Sequence, residues 1–540
     1  MVWLVHLLSQ ADHCAAHVQP WVAARLELLR DRVSPALREL DFTDDRLAAV
    51  LDYLARDEEW NAFESAFTQG LVRGYELPAE TVRLDTTTVS SYRAPDSSAA
   101  WFRFGASKDH RADLVQMKLA LATLDPLGLP LCSWIVPGDR ADDPLYAPLA
   151  ATVRERLGRT GVLYVGDCKM GALETRARLA QAGDFYLVPL SEIQYPRAEW
   201  EAALQPVFEG QQQLMKIIPP RPESPPHGAE ESAVQEPPPV IASGFERARS
   251  RECSLSKTDP HPPEPLCWQE RLLFLCSHEQ ARAGKEALAA RLQRTLAALA
   301  ELNRRGKGRK RYRTAEDLRD LQVRVDRLLA RNQVEGLIRV RCVPLPEAGA
   351  SPPSAAAGKE RGPMDHRVEA EVEAPAVARA EQWLGWRVFA TNAPAERLSL
   401  AQGFWAYRGQ YRIEDRFARL KGAPLSLRPW YFQEEGRTRG LVRLLLLALQ
   451  LLTLEQRELR RRLQEQGRRL AGIYAGNPKR ASESPTVELV LRAFRGISRV
   501  RGLGGDGNER WHLARWTPQH RELLTLFGFD ETIYHQLAPG

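Results

Sequence analysis

An α/β fold, in which an antiparallel meander leads into alternating helices and strands, is what the order of hydrophobic patterns predicts. The first sign is the β-branched run Val82-Arg-Leu-Asp-Thr-Thr-Thr-Val89, followed by Trp101-Phe-Arg-Phe-Gly-Ala-Ser107 and by an apolar segment from Leu114 to Val136 that the turn Asp125-Pro-Leu-Gly128 folds back on itself. That makes a meander of about three strands. The second sign is a change of period: helical spacing from about Pro144 to Leu157, an apolar strand ending on Asp167, helical spacing from Met170 to Ala182, and an extended run from Asp184 to Pro189. The third is the return of a strand at Trp386-Arg-Val-Phe-Ala-Thr-Asn392, followed by a helix that opens at Ser399 or Leu400 and carries Glu414.

Composition narrows the class. A chain of 540 residues with 44% hydrophobic and 27% charged residues has room for several domains and large cores, as a soluble globular protein does. Its net charge of +6 is modest, so affinity for a nucleic acid has to come from local clusters of basic residues. Seven cysteines, scattered and without a C-x-x-C pair, read as reduced cytosolic thiols, which argues against a disulfide framework or a zinc site. The N-terminus Met1-Val-Trp-Leu-Val-His-Leu-Leu has no basic segment before an apolar core, so no signal peptide is predicted. The apolar run from Leu441 to Leu454 is broken by Arg443 and Gln450 and is too short for a bilayer; it reads as a buried core helix.

Taken in order, residues 1–78 are predicted helical, with Thr43-Asp44-Asp45 as a cap and Leu47, Val50, Leu51 and Leu54 as the apolar stripe behind it. His13 and His17 stand one helical turn apart, but no acidic general base lies between them and the pair reads as incidental. Residues 79–195 hold the meander and the alternating segment. Within them, Pro137-Gly-Asp-Arg-Ala-Asp-Asp143 is either a rival metal centre or, as turn chemistry favours, a turn and cap. Ser107-Lys-Asp-His-Arg111 is a polar turn beside the same sheet, either a DNA contact or a solvated loop.

Residues 196–385 read as an insertion. Its stretch 218–265 is rich in Pro, Ser and Glu and is predicted disordered or extended; 346–366 is a second linker of Pro, Ala and Gly. Between them, 266–345 reads as a helical hairpin followed by a short strand, with Leu288, Leu292, Leu296, Leu299 and Leu302 on one stripe and Leu318, Leu321, Val325 and Leu328 on the other. The hairpin tip carries seven basic residues, Arg304, Arg305, Lys307, Arg309, Lys310, Arg311 and Arg313, interleaved with glycines and Tyr312. Such a loop suits a phosphate backbone. Residues 386–468 hold the late strand, the Glu414 helix and a core helix from about 440; residues 469–540 form a C-terminal region with a helix from Ser482 to Ile497 and a glycine-rich turn, Gly502 to Gly507.

The candidate chemistry centres on 406–421. Tyr407, Gln410, Glu414 and Lys421 are three, four and seven residues apart, so one continuous helix aligns a phenol, an amide, a carboxylate and an ammonium, with Ile413, Phe417 and Leu420 on its core face. Asp85 interrupts a β-branched run and Asp167 ends an apolar strand, and carboxylates in such positions are costly unless a cation is near. Two strands and a helix bringing Asp85, Asp167 and Glu414 together make an oxygen-rich site for Mg²⁺ or Mn²⁺.

These residues resemble a known family. Asp85, Asp167 and Glu414 are similar to the catalytic triad of the DDE transposases of bacterial insertion sequences, and Tyr407, Gln410, Glu414 and Lys421 resemble the Y-x2-R-x3-E-x6-K motif of the insertion-sequence-four group. Gln410 stands at the arginine position, with Arg408 and Arg412 near it but off the stripe. Three meandering strands followed by helix and strand in alternation are also the order of a ribonuclease H-like domain, with Asp85 on its first strand and Asp167 at the end of its fourth. The resemblance implies a ribonuclease H-like core interrupted by the mainly helical insertion, and catalysis of DNA cleavage and strand transfer with two Mg²⁺ or Mn²⁺ ions. By this resemblance Asp85 would be shared between the ions, and Asp167 and Glu414 would hold one each. It further implies Tyr407, Gln410 and Lys421 against DNA and an N-terminal helical region that binds terminal inverted repeats and is shortened at Met1. The partners it implies are the terminal repeats and target DNA, met by a homodimer in the bacterial cytoplasm and not at a membrane. Two other readings stay open: a DNA-binding protein that has lost catalysis, and a nuclease of the same fold that cuts without joining.

Overall fold

The computed structural model describes residues 1–96, 99–220, 238–255, 264–303, 314–344, 366–423, 425–428, 430, 434–503 and 509–535. The basic tip at 304–313 and all of the second linker except His366 lie outside the described residues. Five α-helices open the chain: α1 Val2–Gln10, α2 Ala15–Ala23, α3 Leu26–Arg32, α4 Asp44–Leu54 and α5 Asp57–Gly74. In α4 the acidic residues Asp44 and Asp45 sit in the first turn, where the helix dipole favours them, and Leu47 and Leu51 bury one face.

The β-branched run forms β1, Thr81–Ser91, and the apolar segment after it forms β2, Val115–Leu124, and β3, Leu129–Pro137. Trp101–Ser107 adds no strand; an isolated bridge pairs Arg103 with Gln116. Next come α6 Tyr146–Leu157, β4 Leu163–Val165, α7 Leu173–Gln181, β5 Phe185–Pro189, α8 Arg197–Phe208 and β6 Met215–Ile217. Helix α7 starts later than the spacing predicts, because residues 167–172 are spent on turns around the Asp167 carboxylate.

Of the stretch 218–265, expected to be disordered or extended, residues 221–237 and 256–263 lie outside the described residues, and its middle is extended as a sheet strand. That strand is β7, Ala242–Cys253, paired antiparallel along its whole length with β8, Leu266–Ser277. Local composition missed β7 because it is polar and exposed at its outer end and is fixed by its partner: Ala242 and Phe245 are buried while Glu246, Arg247 and Ala248 are exposed. By the same token the residues just before the helical hairpin are a sheet strand.

The hairpin itself is α9 His278–Glu301 and α10 Ala315–Asn332, closed by β9 Ile338–Pro344 and β10 His366–Val372 around Leu288, Leu292, Leu299, Leu321 and Val325. Thereafter follow α11 Ala374–Gln382, β11 Trp386–Thr391, α12 Leu400–Arg408, α13 Tyr411–Lys421 and α14 Glu435–Glu465. The C-terminal region has the strand pairs β12 Leu470–Ala471 with β13 Ala481–Ser482 and β14 Ser498–Leu503 with β15 Glu509–Ala514, and the helices α15 Val487–Ala493, α16 Pro518–Leu526 and α17 Thr532–His535. Helix α15 is shorter than the predicted 482–497, and residues 504–507 of the glycine-rich turn lie outside the described residues.

Among the described residues one mixed sheet of nine strands, in the order β3-β2-β1-β4-β5-β11-β8-β7-β6, joins early and late segments. Strands β1, β4 and β5 are parallel and the other pairings antiparallel. Helix α14 buries Leu441 to Leu454 against the N-terminal helices and the meander, as its apolar run predicts. The approach of α4 is close enough that a Cβ on Gly440 would lie 2.1 Å from the Leu51 carbonyl oxygen, so only glycine fits there. Among the described residues no helix is long and apolar enough to cross a membrane.

Candidate acidic site

Alternation along β1 directs Arg83 and Asp85 to the same side of the sheet. Asp85 accepts the N–H of Thr86 at 2.7 Å, and the Lys108 ammonium is 3.8 Å from its Oδ1. Burial, above all, pushes the Asp85 carboxyl up to about 7; Lys108 opposes the shift, and the charges of Asp167 and Glu414 add to it. The charges of Asp167, in the turn after β4, and of Glu414, in the first turn of α13, thus reach Asp85 on β1.

Each carboxylate is held differently. Asp167 Oδ1 accepts the Tyr146 hydroxyl at 2.9 Å and the N–H groups of Lys169 at 3.0 Å and Met170 at 3.3 Å. Tyr146 is fully buried, and burial followed by the charges of Asp167 and Asp85 keeps its phenol protonated well above the ordinary range. Glu414 is exposed. The donor set is all carboxylate oxygen, which suits a hard divalent cation. Among the described residues no group of three or more His, Cys, Asp or Glu side chains is placed to hold a metal ion.

The expected single helix through Tyr407, Gln410, Glu414 and Lys421 is divided. Tyr407 lies on α12, Gln410 is the residue before α13, and Glu414 and Lys421 lie on α13. The cause is Arg83, wholly buried on β1. Its Nη2 donates to the Ala406 carbonyl at 2.6 Å, the acceptor that the N–H of Gln410 takes in a continuous helix, and that N–H turns to Tyr407 O at 3.0 Å instead. Gly409 makes the approach possible: a Cβ there would stand 2.3 Å from Arg83 Nη2.

The remaining stripe residues are engaged within the protein. Tyr407 packs on Phe389 with ring centroids 4.6 Å apart, and the Gln410 carbonyl oxygen accepts from Arg83 Nη1 at 3.4 Å. Lys421 donates to Asp109 at 3.1 Å, and Arg428 lies 2.8 Å from the same oxygen. Burial, partly offset by Asp109, lowers the Lys421 ammonium. Arg408 pairs with Glu279 at 2.9 Å and Arg412 stands 3.5 Å from Asp125.

Several contributors carried too little local signal to be chosen from sequence. Lys108, in the polar turn, donates to the carbonyl and the hydroxyl of Thr86 at 2.6 and 2.7 Å, between Asp85 and Asp142. Asp142 does not cap the turn it precedes; its carboxylate pairs with Lys118 at 2.8 Å. Arg83 and Tyr146 were legible only as parts of apolar elements. His13 and His17 turn to separate partners, Leu425 O at 3.0 Å and Asp12 at 2.6 Å. No family model matches the chain, and no curated protein matches it.

Proposed function

We propose that the chain is a DNA-cleaving and strand-transferring enzyme of the insertion-sequence transposase kind. The observation that carries this reading is that the charges of Asp167 and Glu414, carried on two other elements, act on the buried Asp85 carboxyl of β1. The strand order β3-β2-β1-β4-β5, with β1, β4 and β5 parallel, supports a ribonuclease H-like core around it. On this reading β6 to β10 and α8 to α11 belong to an insertion, and β11 and α13 complete the core.

Mg²⁺ or Mn²⁺ held by Asp85, Asp167 and Glu414 would supply Lewis-acid stabilisation of the phosphoryl oxygens and activate water or a 3′-hydroxyl. The protein's own groups prepare that event. Tyr146 and the N–H groups of Lys169 and Met170 fix the Asp167 carboxylate, so it meets a ligand without reorganising. Lys108 partly neutralises Asp85. Lys421 is stored on Asp109 and reaches a DNA phosphate by exchanging one anion for the other. Gln410 offers an amide donor where an arginine would bring charge.

The test is incubation of the full chain with supercoiled plasmid and a 3′-hydroxyl oligonucleotide in Mg²⁺ or Mn²⁺. Nicking together with joining supports the transposase reading; nicking alone indicates a nuclease. A second reading, DNA binding without catalysis, is favoured by Gln410 and by the pairing of Lys421 with Asp109. Duplex binding with neither nicking nor joining would establish it.

A further inference from the structure

Helix α13 has another face, turned away from the acidic cluster. There α13, α14, α15 and the turn at Pro126 and Leu127 enclose a cleft of about 520 Å³. Six arginines line it: Arg412, Arg416 and Arg419 from α13, Arg457 and Arg460 from α14, and Arg492 from α15. Two carboxylates, Asp415 and Glu488, stand among them.

Those two do not balance the charge. Glu488 is taken by Arg419, whose Nε donates to it at 2.7 Å, and Asp415 is half-exposed and 3.5 Å from Arg416. Arg457 donates to the carbonyl of Tyr75, and Arg460 to those of Pro485 and Ser484, acceptors without charge. Arg416 and Arg419 are more than nine-tenths buried, yet among the described residues Arg416 Nε and Arg419 Nη1 have no hydrogen-bond partner. The other Arg416 nitrogens reach Thr453 Oγ1 and Leu127 O at 3.4 Å, the long limit of such a bond. Buried guanidinium N–H groups left unmet are costly, and a fork of planar donors fits the oxygens of a phosphate better than it fits water. Burial, and after it the charge of Arg419, also depresses the Arg460 guanidinium.

We propose that this cleft is a metal-independent binding site for phosphoryl groups, distinct from the acidic cluster. A DNA backbone and a free diphosphate present the same chemistry to it. Arg416 and Arg419 form its floor, and Arg457 and Arg492 its rim.

The experiment is thermal unfolding of the full chain in EDTA, titrated with sodium pyrophosphate at constant ionic strength maintained with KCl. A saturable rise in Tm is expected, and the Arg457→Ala/Arg492→Ala variant should lose it. The single variant Arg492→Glu, at an exposed position, gives the same reading if the double variant is poorly folded. A Tm that tracks ionic strength alone, or a saturable rise untouched in these variants, overturns the proposal. Duplex binding by the same variants separates the sources. A salt slope shallower by about 0.9 for each phosphate no longer neutralised identifies backbone phosphate, whereas unchanged duplex binding with the pyrophosphate response abolished identifies a free phosphate ligand. Asp85→Ala protein should keep the pyrophosphate response, so failure of the proposed DNA chemistry and failure of this site are read independently.

Discussion

Arg83 and Asp125 form a bidentate ion pair, Nε to Oδ1 at 2.8 Å and Nη2 to Oδ2 at 2.5 Å, with the guanidinium fully buried. The pair links the turn between β2 and β3 to the strand that carries Asp85, and through Ala406 to the end of α12. It therefore sits under both the sheet and the helix of the acidic cluster.

Breaking that pair from one side should be severe. Asp125→Asn or Arg83→Met leaves an uncompensated polar or charged group, and urea unfolding should register a loss of about 3–5 kcal/mol. Replacing both partners by apolar residues should recover much of it. Equal stability of Asp125→Asn and the parent would show that Ala406 and Gln410 suffice to hold the guanidinium.

In the acidic cluster, Asp85→Ala, Asp167→Ala and Glu414→Ala should each reduce metal-dependent strand cleavage to background while the circular-dichroism spectrum stays that of the parent. Tyr146→Phe should act more gently, because it removes one hydrogen bond from Asp167 and no carboxylate; a loss of about 10-fold to 100-fold in metal affinity or rate is expected. Parental cleavage by any of the three alanine variants would remove that carboxylate from the site.

Glu455 on α14 gives stability a pH dependence. Burial first, and the charge of Glu488 second, push its carboxyl up from 4.5 to about 7. The folded chain thus keeps this proton to higher pH than the unfolded chain does. Stability from this group is highest below the unfolded value, falls as pH rises towards 7, and is flat above it. Glu455→Gln should be neutral near pH 4 and stabilising at pH 8 by up to about 3 kcal/mol. Tm measured against pH checks this, and parallel curves for the two proteins would refute it.

The basic run of the hairpin tip is expected to hold DNA without taking part in chemistry. Neutralising Arg309, Lys310, Arg311 and Arg313 together should weaken binding to all sequences alike and flatten the log-log salt dependence by roughly 0.9 for each duplex phosphate the loop ceases to neutralise. An unchanged slope would reduce the run to a solvated cluster.

Much of this architecture was legible because it is written in short-range pattern. The β-branched run gave β1, the turn at Asp125 to Gly128 gave the β2–β3 hairpin, and the leucine stripes gave α9 and α10. What escaped was decided at long range. Strand β7 reads as a polar linker until β8 is laid beside it. The interruption after Arg408 depends on Arg83, far earlier in the chain, reaching the Ala406 carbonyl. The partner that takes Lys421 is an aspartate in an otherwise ordinary polar turn. Helical spacing alone aligned the stripe; a single buried guanidinium redistributed it.

The place of β11 in the sheet has a consequence for synthesis. It lies between β5 and β8 and pairs with both, although both are made well before it. A growing chain that has not yet released residues 386–391 from the ribosome therefore carries two sheet fragments, β1 to β5 and β6 to β8, each ending in an unpaired edge. Open edges of that kind recruit other strands. The most vulnerable moment for this protein is the late interval in translation before one short strand arrives to seal both edges, and a holdase that covers strand edges would matter most there.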